Sequence, residues 1–233
     1  MTTTTTDRLP AGEYPILPAA NRHWLTPFYD LLCELMGLGR RFQRGVLARL
    51  GLRGDERLLD VGCGTGTLLA ETLRRYAGVT AAGVDADTEI LAIAQRRLRR
   101  HAARVTLHAA RAETLPLPDD SFDAAVSTLT FHHLPTPAKR AALGEVFRVL
   151  RPGGRFLLVD FGIRPGRRVP WWEGLFETVE YLEDNVRGLL PGFVADAGFT
   201  GVRPVHRRWP GIEYLAAEKP GPRGSGESSR GRP

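Results

Sequence analysis

The spacing of hydrophobic positions changes several times along the chain, and each change marks an element. From Trp24 to Met36 apolar residues recur at Leu25, Phe28, Leu31, Leu32 and Leu35, the periodicity of a helix with one buried face. A second helix is predicted over Arg40–Leu50, stopped by Gly51. Short apolar runs then alternate with helical patterns. Arg57–Val61 and Val79–Val84 read as strands, with a helix over Thr67–Tyr76 between them. Asp87 is placed to cap a helix whose buried stripe is Ile90, Leu91, Ala94 and Leu98. Val105–His108 is a third strand, and Pro116, Pro118 and Asp119-Asp120-Ser121 mark a turn before a fourth, Phe122–Thr128. A helix over Ala138–Leu150 meets Arg151-Pro152-Gly153-Gly154, which should break it before a fifth strand, Arg155–Asp160. Leu189–Ala197 reads as a helix, and Val202–Arg207 and Ile212–Ala217 as closing strands.

Regular alternation of strand and helix implies an α/β fold with a mostly parallel sheet covered by helices on both faces. Residues 161–190 interrupt that rhythm with Trp171, Trp172, Phe176 and Tyr181 set among charges. The organisation expected is an N-terminal helical cap over residues 1–50, one domain over 51–218 carrying an insert at 161–190, and a tail over 219–233. With 233 residues and 42% hydrophobic content, one sizeable core is enough.

Charge first points towards nucleic acid, since the formal net value is +6. Half of it sits in the tail, where Lys219, Arg223, Arg230 and Arg232 face a single acid, Glu227. That Gly/Pro/Ser-rich stretch lacks apolar residues and is expected to be disordered. The remaining charge is too diffuse for a nucleic-acid footprint, and the run Arg96, Arg97, Arg99 and Arg100 reads as a solvated helix face. No apolar run approaches the roughly 20 residues that span a bilayer. The threonine tract Met1–Asp7 does not resemble a signal peptide. Cys33 and Cys63 support neither a disulfide framework nor a cysteine zinc site, so a reducing cytoplasm is the expected compartment.

The candidate chemistry begins at Asp60-Val61-Gly62-Cys63-Gly64-Thr65-Gly66, where the first strand turns into its helix. In open α/β sheets ligands sit beyond the carboxyl ends of the strands, and glycines there permit positive φ. Dinucleotide enzymes use a similar turn, but their G-x-G-x-x-G spacing, started at Gly62, needs glycine where this chain has Thr67. Asp60 separates the readings further. A carboxylate there repels a pyrophosphate and suits a ligand whose nearby end is cationic, as in S-adenosylmethionine. Asp85, just past the second strand, is the acidic acceptor expected for ribose hydroxyls; its alternative role is that of a turn acid.

These residues resemble motif I of the class I S-adenosylmethionine-dependent methyltransferases, beginning at Leu58-Leu59-Asp60. Later segments agree. Ala112-Glu113-Thr114-Leu115-Pro116-Leu117-Pro118-Asp119 with Ser121-Phe122-Asp123 is similar to the family's adenine-side loop and fourth strand. Phe147-Arg148-Val149-Leu150-Arg151-Pro152-Gly153-Gly154 and Ala197-Gly198-Phe199 match two further stretches, so the likeness covers roughly residues 55–160 and part of the C-terminal end. The nearest branch is that of the ubiquinone/menaquinone-type C-methyltransferases. The resemblance implies a Rossmann-like three-layer sandwich with a seven-stranded, mostly parallel sheet whose last strand is antiparallel. It also implies that Asp60, Gly62, Cys63, Gly64, Thr65 and Gly66 hold the methionine end of the cofactor and that Asp85 and Ala86 meet the ribose. Arg111 and Ala112 would flank the adenine, with Ser127 and Thr128 flooring the site. Arg111 departs from the family, which has Asp or Asn there; a guanidinium offers donors only.

Methyl transfer needs mainly a positioned acceptor, and a proton acceptor only when the nucleophile is a phenol or an acidic carbon. His132 and His133 follow the fourth strand and are the candidates for that role; on a strand end they would point to opposite sides. No spaced ligand cluster makes them a metal site. The Asn/Asp-Pro-Pro-aromatic mark of enzymes that methylate amines of nucleic acids is missing, which favours a small-molecule acceptor. Tyr29, Trp171 and Trp172 either close the pocket over an apolar acceptor or simply pack against the sheet. Two rival functions stay open: an S-adenosylmethionine-binding protein without catalysis, and an NAD(P)-dependent oxidoreductase.

Overall fold

The computed structural model describes residues 37–162, 181–208 and 211–221. The predicted helix over 24–36 and the central part of the 161–190 insert lie outside the described residues. The ordered elements are α1 (Arg40–Leu50), β1 (Arg57–Val61), α2 (Thr67–Arg75), β2 (Thr80–Asp85), α3 (Thr88–Leu98), β3 (Val105–Ala109) and β4 (Phe122–Thr128). After them come α4 (Thr136–Val149), β5 (Leu150–Phe161), α5 (Glu183–Val186), α6 (Leu190–Asp196), β6 (Thr200–Arg208) and β7 (Ile212–Glu218).

The seven strands form one sheet in the order β3-β2-β1-β4-β5-β7-β6. Strands β1 to β5 pair in parallel, and β7 runs antiparallel to both β5 and β6. The chain reverses direction at β1, leaving by way of β2 on one side and β4 on the other, so the carboxyl end of β1 lies at the crevice where such folds bind ligands.

Both faces of the sheet are apolar because both are covered. Leu58, Ala124, Val126, Leu157 and Val159 face α1, α2 and α3, whose Val46, Leu47, Leu69 and Leu98 are buried against them. Their chain neighbours Leu59, Ala125, Phe156 and Leu158 face the opposite way, towards Leu143, Val146 and Val149 of α4 and Phe193 and Val194 of α6. The period of two along each strand thus fills two cores rather than separating core from solvent.

Most boundaries fall within two residues of the sequence-based expectation, and three differences have a clear cause. Helix α4 starts at Thr136 rather than Ala138, since Pro137 sits in the first turn where its missing N–H costs nothing. The Arg151-Pro152-Gly153-Gly154 segment ends that helix but continues as strand. Leu150 pairs with Phe122, the register shifts between Phe122 and Ala124, and Gly153 N–H donates to the Lys219 carbonyl at 2.8 Å. Residues that break a helix are here tolerated in an irregular strand, with Gly153 at φ +79. Lys219 belongs to the domain and not to the tail: its N–H returns to Gly154 at 2.9 Å and its amine reaches the Leu150 carbonyl at 2.7 Å.

Of the arginine run, Arg96, Arg99 and Arg100 are exposed as expected, whereas Arg97 turns inward and donates to the Thr65 carbonyl of the glycine loop. Among the described residues no helix is long and apolar enough to cross a membrane.

Helix α3 sets the position of that loop, and Asp87 sets the start of α3 by accepting from Glu89 N–H at 2.9 Å and Ile90 N–H at 3.2 Å. Asp87→Ala is expected to cost about 1 kcal/mol of folding stability. Thermal unfolding checks this, and an unchanged midpoint would show that the cap contributes nothing.

Candidate active site

The loop after β1 is held by two N–H groups, Gly62 and Cys63, which both donate to the Val84 carbonyl of β2, at 2.8 and 3.0 Å. Gly62, Gly64 and Gly66 take φ of +74, +52 and +73. Their reasons for being glycine differ. A methyl on Gly62 would stand 2.1 Å from Thr130 Oγ1, and one on Gly66 would stand 3.2 Å from Ala94 Cβ on α3. Those two glycines allow close packing inside the protein. Gly64 alone faces open space, with Ile90 no nearer than 3.7 Å, and is where backbone is available to a ligand.

Beside the loop lies a cleft of about 390 Å³, lined among others by Phe42, Gln43, Cys63, Gly64, Thr65 and Thr128. Gln43 was not singled out from the sequence. It is buried, and its Oε1 has no hydrogen-bond partner among the described residues. A polar residue on the apolar face of α1, next to Phe42 and in line with Val46, Leu47 and Leu50, was the available signal.

Two carboxylates serve this end of the sheet. Asp60 is buried, and neither of its oxygens has a partner among the described residues. Burial, with Asp85 adding its charge, pushes the Asp60 carboxyl up to about 8. Asp85 accepts from Gly64 N–H at 2.8 Å on one oxygen and from Asp87 N–H at 3.0 Å on the other. Its carboxyl is also raised by burial, against those N–H groups. Asp85 therefore shapes the turn, and Asp87 is the helix cap. A ligand bearing an ammonium fits this arrangement, because it supplies donors and positive charge to the carboxylate that has neither. Ala86, half-buried, follows Asp85, and the buried Cys63 thiol is held well above its ordinary range by burial and by Asp60 and Asp85.

Ala110 N–H donates to the Asp85 carbonyl at 3.1 Å, which brings the segment that leads into Arg111 next to Asp85. Arg111 and Ala112 are half-buried there, and Arg111 Nε bonds Glu113 at 2.7 Å. A carboxylate two residues on thus answers the unexpected guanidinium. Ser127, fully buried, donates to the Val61 carbonyl at 2.8 Å, tying β4 to β1 beneath the loop. Its hydroxyl is not presented to the cleft; Thr128 lines it.

The histidines do not alternate as they would on a strand. Strand β4 ends at Thr128, Leu129 takes φ +55, and Phe131–His133 forms a 3-10 turn that sets the two rings 3.9 Å apart. His132 is buried and its Nδ1 lies 2.8 Å from Asp160 Oδ1. Asp160, likewise buried, accepts from Thr130 and Phe131 N–H on one oxygen, at 3.1 and 2.7 Å. The other oxygen accepts from Phe161 N–H at 2.7 Å and Asn185 Nδ2 at 3.3 Å. Burial drives this carboxyl up, but His132 and the N–H donors outweigh it and hold it below the usual value. An ionised Asp160 only accepts, so Nδ1 of His132 is the nitrogen that donates to it and Nε2 is the one turned away. His133 is pushed down to about 4, by burial first and by His132 second, and stays neutral. Asp160 was missed from the sequence, although like Asp60 and Asp85 it is an acid at the carboxyl end of an apolar strand. Tyr29, Trp171 and Trp172 lie outside the described residues.

A model of the methyltransferase domain family matches residues 58–154. The ubiquinone/menaquinone biosynthesis C-methyltransferase UbiE of a Geobacter species is 31% identical over 77% of this chain and 86% of its own length. The demethylmenaquinone methyltransferase of Thermus thermophilus is 32% identical over 78% of this chain and 96% of its own length. The chain belongs to this family, the UbiE-like class I S-adenosylmethionine-dependent methyltransferases. Among solved structures, Haemonchus contortus phosphoethanolamine N-methyltransferase 2 with S-adenosyl-L-methionine superposes with a TM-score of 0.72 over 91% of this chain and 61% of its own, at 20% identity. The [4+2]-cyclase SpnF gives 0.63 over 78% of this chain and 81% of its own, at 24% identity. Both show the fold alone.

For this methyltransferase the buried Asp60, without a hydrogen-bond partner among the described residues, has a measurable signature. Folded protein holds the Asp60 proton up to pH about 8, whereas the unfolded chain releases it near 3.8. The folded state binds the extra proton between those values, so this group's contribution to stability falls as pH rises through the window and levels off above it. Asp60→Asn removes the fall. Its melting temperature should overtake that of the unsubstituted protein above pH about 8, while stabilisation by S-adenosylhomocysteine disappears. Thermal unfolding at pH 6 and 9 with and without that ligand decides it; retained ligand stabilisation would remove Asp60 from the cofactor site.

Proposed function

We propose that this enzyme methylates a small aromatic acceptor that carries an acidic hydroxyl, a quinol-type ring being the favoured class, with His132 as the general base. The observation that carries the reading is the 2.8 Å contact between His132 Nδ1 and Asp160, which leaves Nε2 as the proton acceptor. An already neutral amine needs no such base. The relatives from Geobacter and Thermus are named as C-methyltransferase of ubiquinone/menaquinone biosynthesis and demethylmenaquinone methyltransferase, which agrees with an acceptor whose ring carbon becomes nucleophilic when its hydroxyl loses a proton.

In this reading Asp60 and the Gly62–Gly66 loop hold the methionine end of S-adenosylmethionine, Asp85 and Ala86 meet the ribose, and Arg111 and Ala112 flank the adenine. When bound, the cofactor supplies an electrophilic methyl on a positively charged sulfur, which departs as a neutral thioether. His132 Nε2 takes the acceptor's hydroxyl proton, and the electron density so released at the ring carbon forms the bond to the methyl carbon as the sulfur–methyl bond breaks. The hydrogen on that ring carbon then leaves as a proton while the ring oxygen regains one from His132. Asp160 keeps its negative charge and stabilises the imidazolium. His133, neutral against the same ring, places no second positive charge beside it. The acceptor must be in its reduced form, since a quinone has no hydroxyl proton to give. The diffuse positive charge supports a small molecule over nucleic acid, and we place the reaction in the cytoplasm.

The test is methyl transfer from S-adenosylmethionine to a reduced short-chain demethylmenaquinone. His132→Gln should lower kcat on the order of 100-fold or more, with cofactor affinity unchanged by calorimetry. Wild-type kcat in that variant, or transfer only to amines with no dependence on His132, would overturn the proposal.

A further inference from the structure

Asn185 lies on α5, far in sequence from the histidines, and its side chain is fully buried. Its Nδ2 donates to Asp160 Oδ1 at 3.3 Å and to the Phe161 carbonyl at 3.0 Å. Both partners only accept, so the orientation of the amide is fixed: its NH₂ must face the carboxylate that holds His132.

The short helix that carries Asn185 is itself pinned from the histidine side. Lys139 of α4 is buried, and its amine donates to Asp184 at 3.1 Å and to the Tyr181 carbonyl at 2.6 Å. Thr136, at the start of α4, donates its hydroxyl to the same Asp184 oxygen at 2.6 Å. Helix α4 begins three residues after His133. The polar contacts therefore close a ring that runs from His132 to Asp160, to Asn185 and its neighbour Asp184, to Lys139 and Thr136, and back along the chain to His132. A buried lysine and a buried asparagine are expensive; the ring meets the amine of the first and the NH₂ of the second, while Asn185 Oδ1 has no partner among the described residues.

Strand β5 alone would supply Asp160, and backbone N–H groups already hold its far oxygen. The oxygen that meets His132 has Phe161 N–H and Asn185 as its other donors. Only Asn185 approaches it as a side chain from a separate element. It also adds a donor without adding charge, which leaves the full attraction of the carboxylate for the imidazole in place.

We propose that Asn185 is a positioning residue for the His132–Asp160 pair, fixing the carboxylate that sets the tautomer and orientation of His132. The inference rests on the base role given to His132, so its test includes a measurement that needs no acceptor. In protein labelled with ¹⁵N-histidine, the His132 Nδ1 proton should give a slowly exchanging, hydrogen-bonded resonance. Asn185→Leu, which keeps the volume and removes the donor, should shift or broaden that resonance. It should also lower kcat about tenfold while cofactor affinity stays unchanged. Asn185→Ser, which retains a donor on a shorter side chain, should move the resonance less and recover part of kcat.

An Asn185→Leu protein with an unmoved His132 resonance and unchanged kcat would overturn the inference. If that variant does not fold, an unmoved resonance in Asn185→Ser does so. Loss of melting temperature with neither change would mean that Asn185 only caps the end of β5. Should His132→Gln be fully active, the base role itself falls, whereas an inactive His132→Gln beside an unaffected Asn185→Leu sinks this inference alone.

Discussion

A carboxylate taken out of water keeps its charge only if donors meet it, and this single constraint sorts the working edge of the sheet. Asp60, Asp85 and Asp160 stand at the carboxyl ends of β1, β2 and β5. Asp160 is met by four N–H groups from backbone and amide and by His132, and it titrates below the ordinary range. Asp85, with two backbone N–H donors, is raised. Asp60 has no partner among the described residues and is pushed up to about 8. The carboxylate with most donors is the one held low, and the two with fewer are raised.

The two ends of the site are mechanically joined through Thr130. Its side chain fills the space where Gly62 would carry a methyl, and its N–H is bonded to Asp160. Its hydroxyl lies within 3.5 Å of carbonyls of Val61, Gly62 and Thr128. The cofactor loop and the histidine turn thus cannot shift independently. Methyl transfer gains most of its rate from placing donor and acceptor within a fraction of an ångström, so a rigid link between the two half-sites is what the chemistry asks for.

Local signals in the sequence were reliable where neighbours along the chain decide structure. The stripe Ile90, Leu91, Ala94 and Leu98 is the buried face of α3, and Asp87 rather than Asp85 caps it. Arg57–Val61, Arg40–Leu50 and Phe122–Thr128 have the boundaries that periodicity assigns them. Signals failed where distant contacts decide. Pro152 and the glycines after it do not stop β5, because β4 on one side and Lys219 on the other supply partners for an irregular strand. His132 and His133 do not alternate, because their strand ends earlier than the apolar run does. Asn185 carries no local mark, and Asp160 only that of an acid ending an apolar strand; both matter through partners more than twenty residues away. Glycine spacing marked the turn after β1, yet two of its three glycines answer to Thr130 and Ala94, which no spacing rule contains.

Fold alone would not have distinguished methyl transfer from other chemistry, since a [4+2]-cyclase superposes on this chain with a TM-score of 0.63. What narrows the reading is the pairing of unlike sites at one sheet edge. A partnerless buried acid beside an open glycine suits a cationic cofactor, and a cyclisation needs no base of the His132 kind. A methyltransferase for neutral amines would need the first feature only. The proposed reaction uses both, one to place a cation and the other to remove a proton, with His132 against an ionised acid and its neighbour His133 pushed down to about 4. Were His133 to charge as well, the proton taken by His132 would face repulsion in the step where the acceptor gives it up.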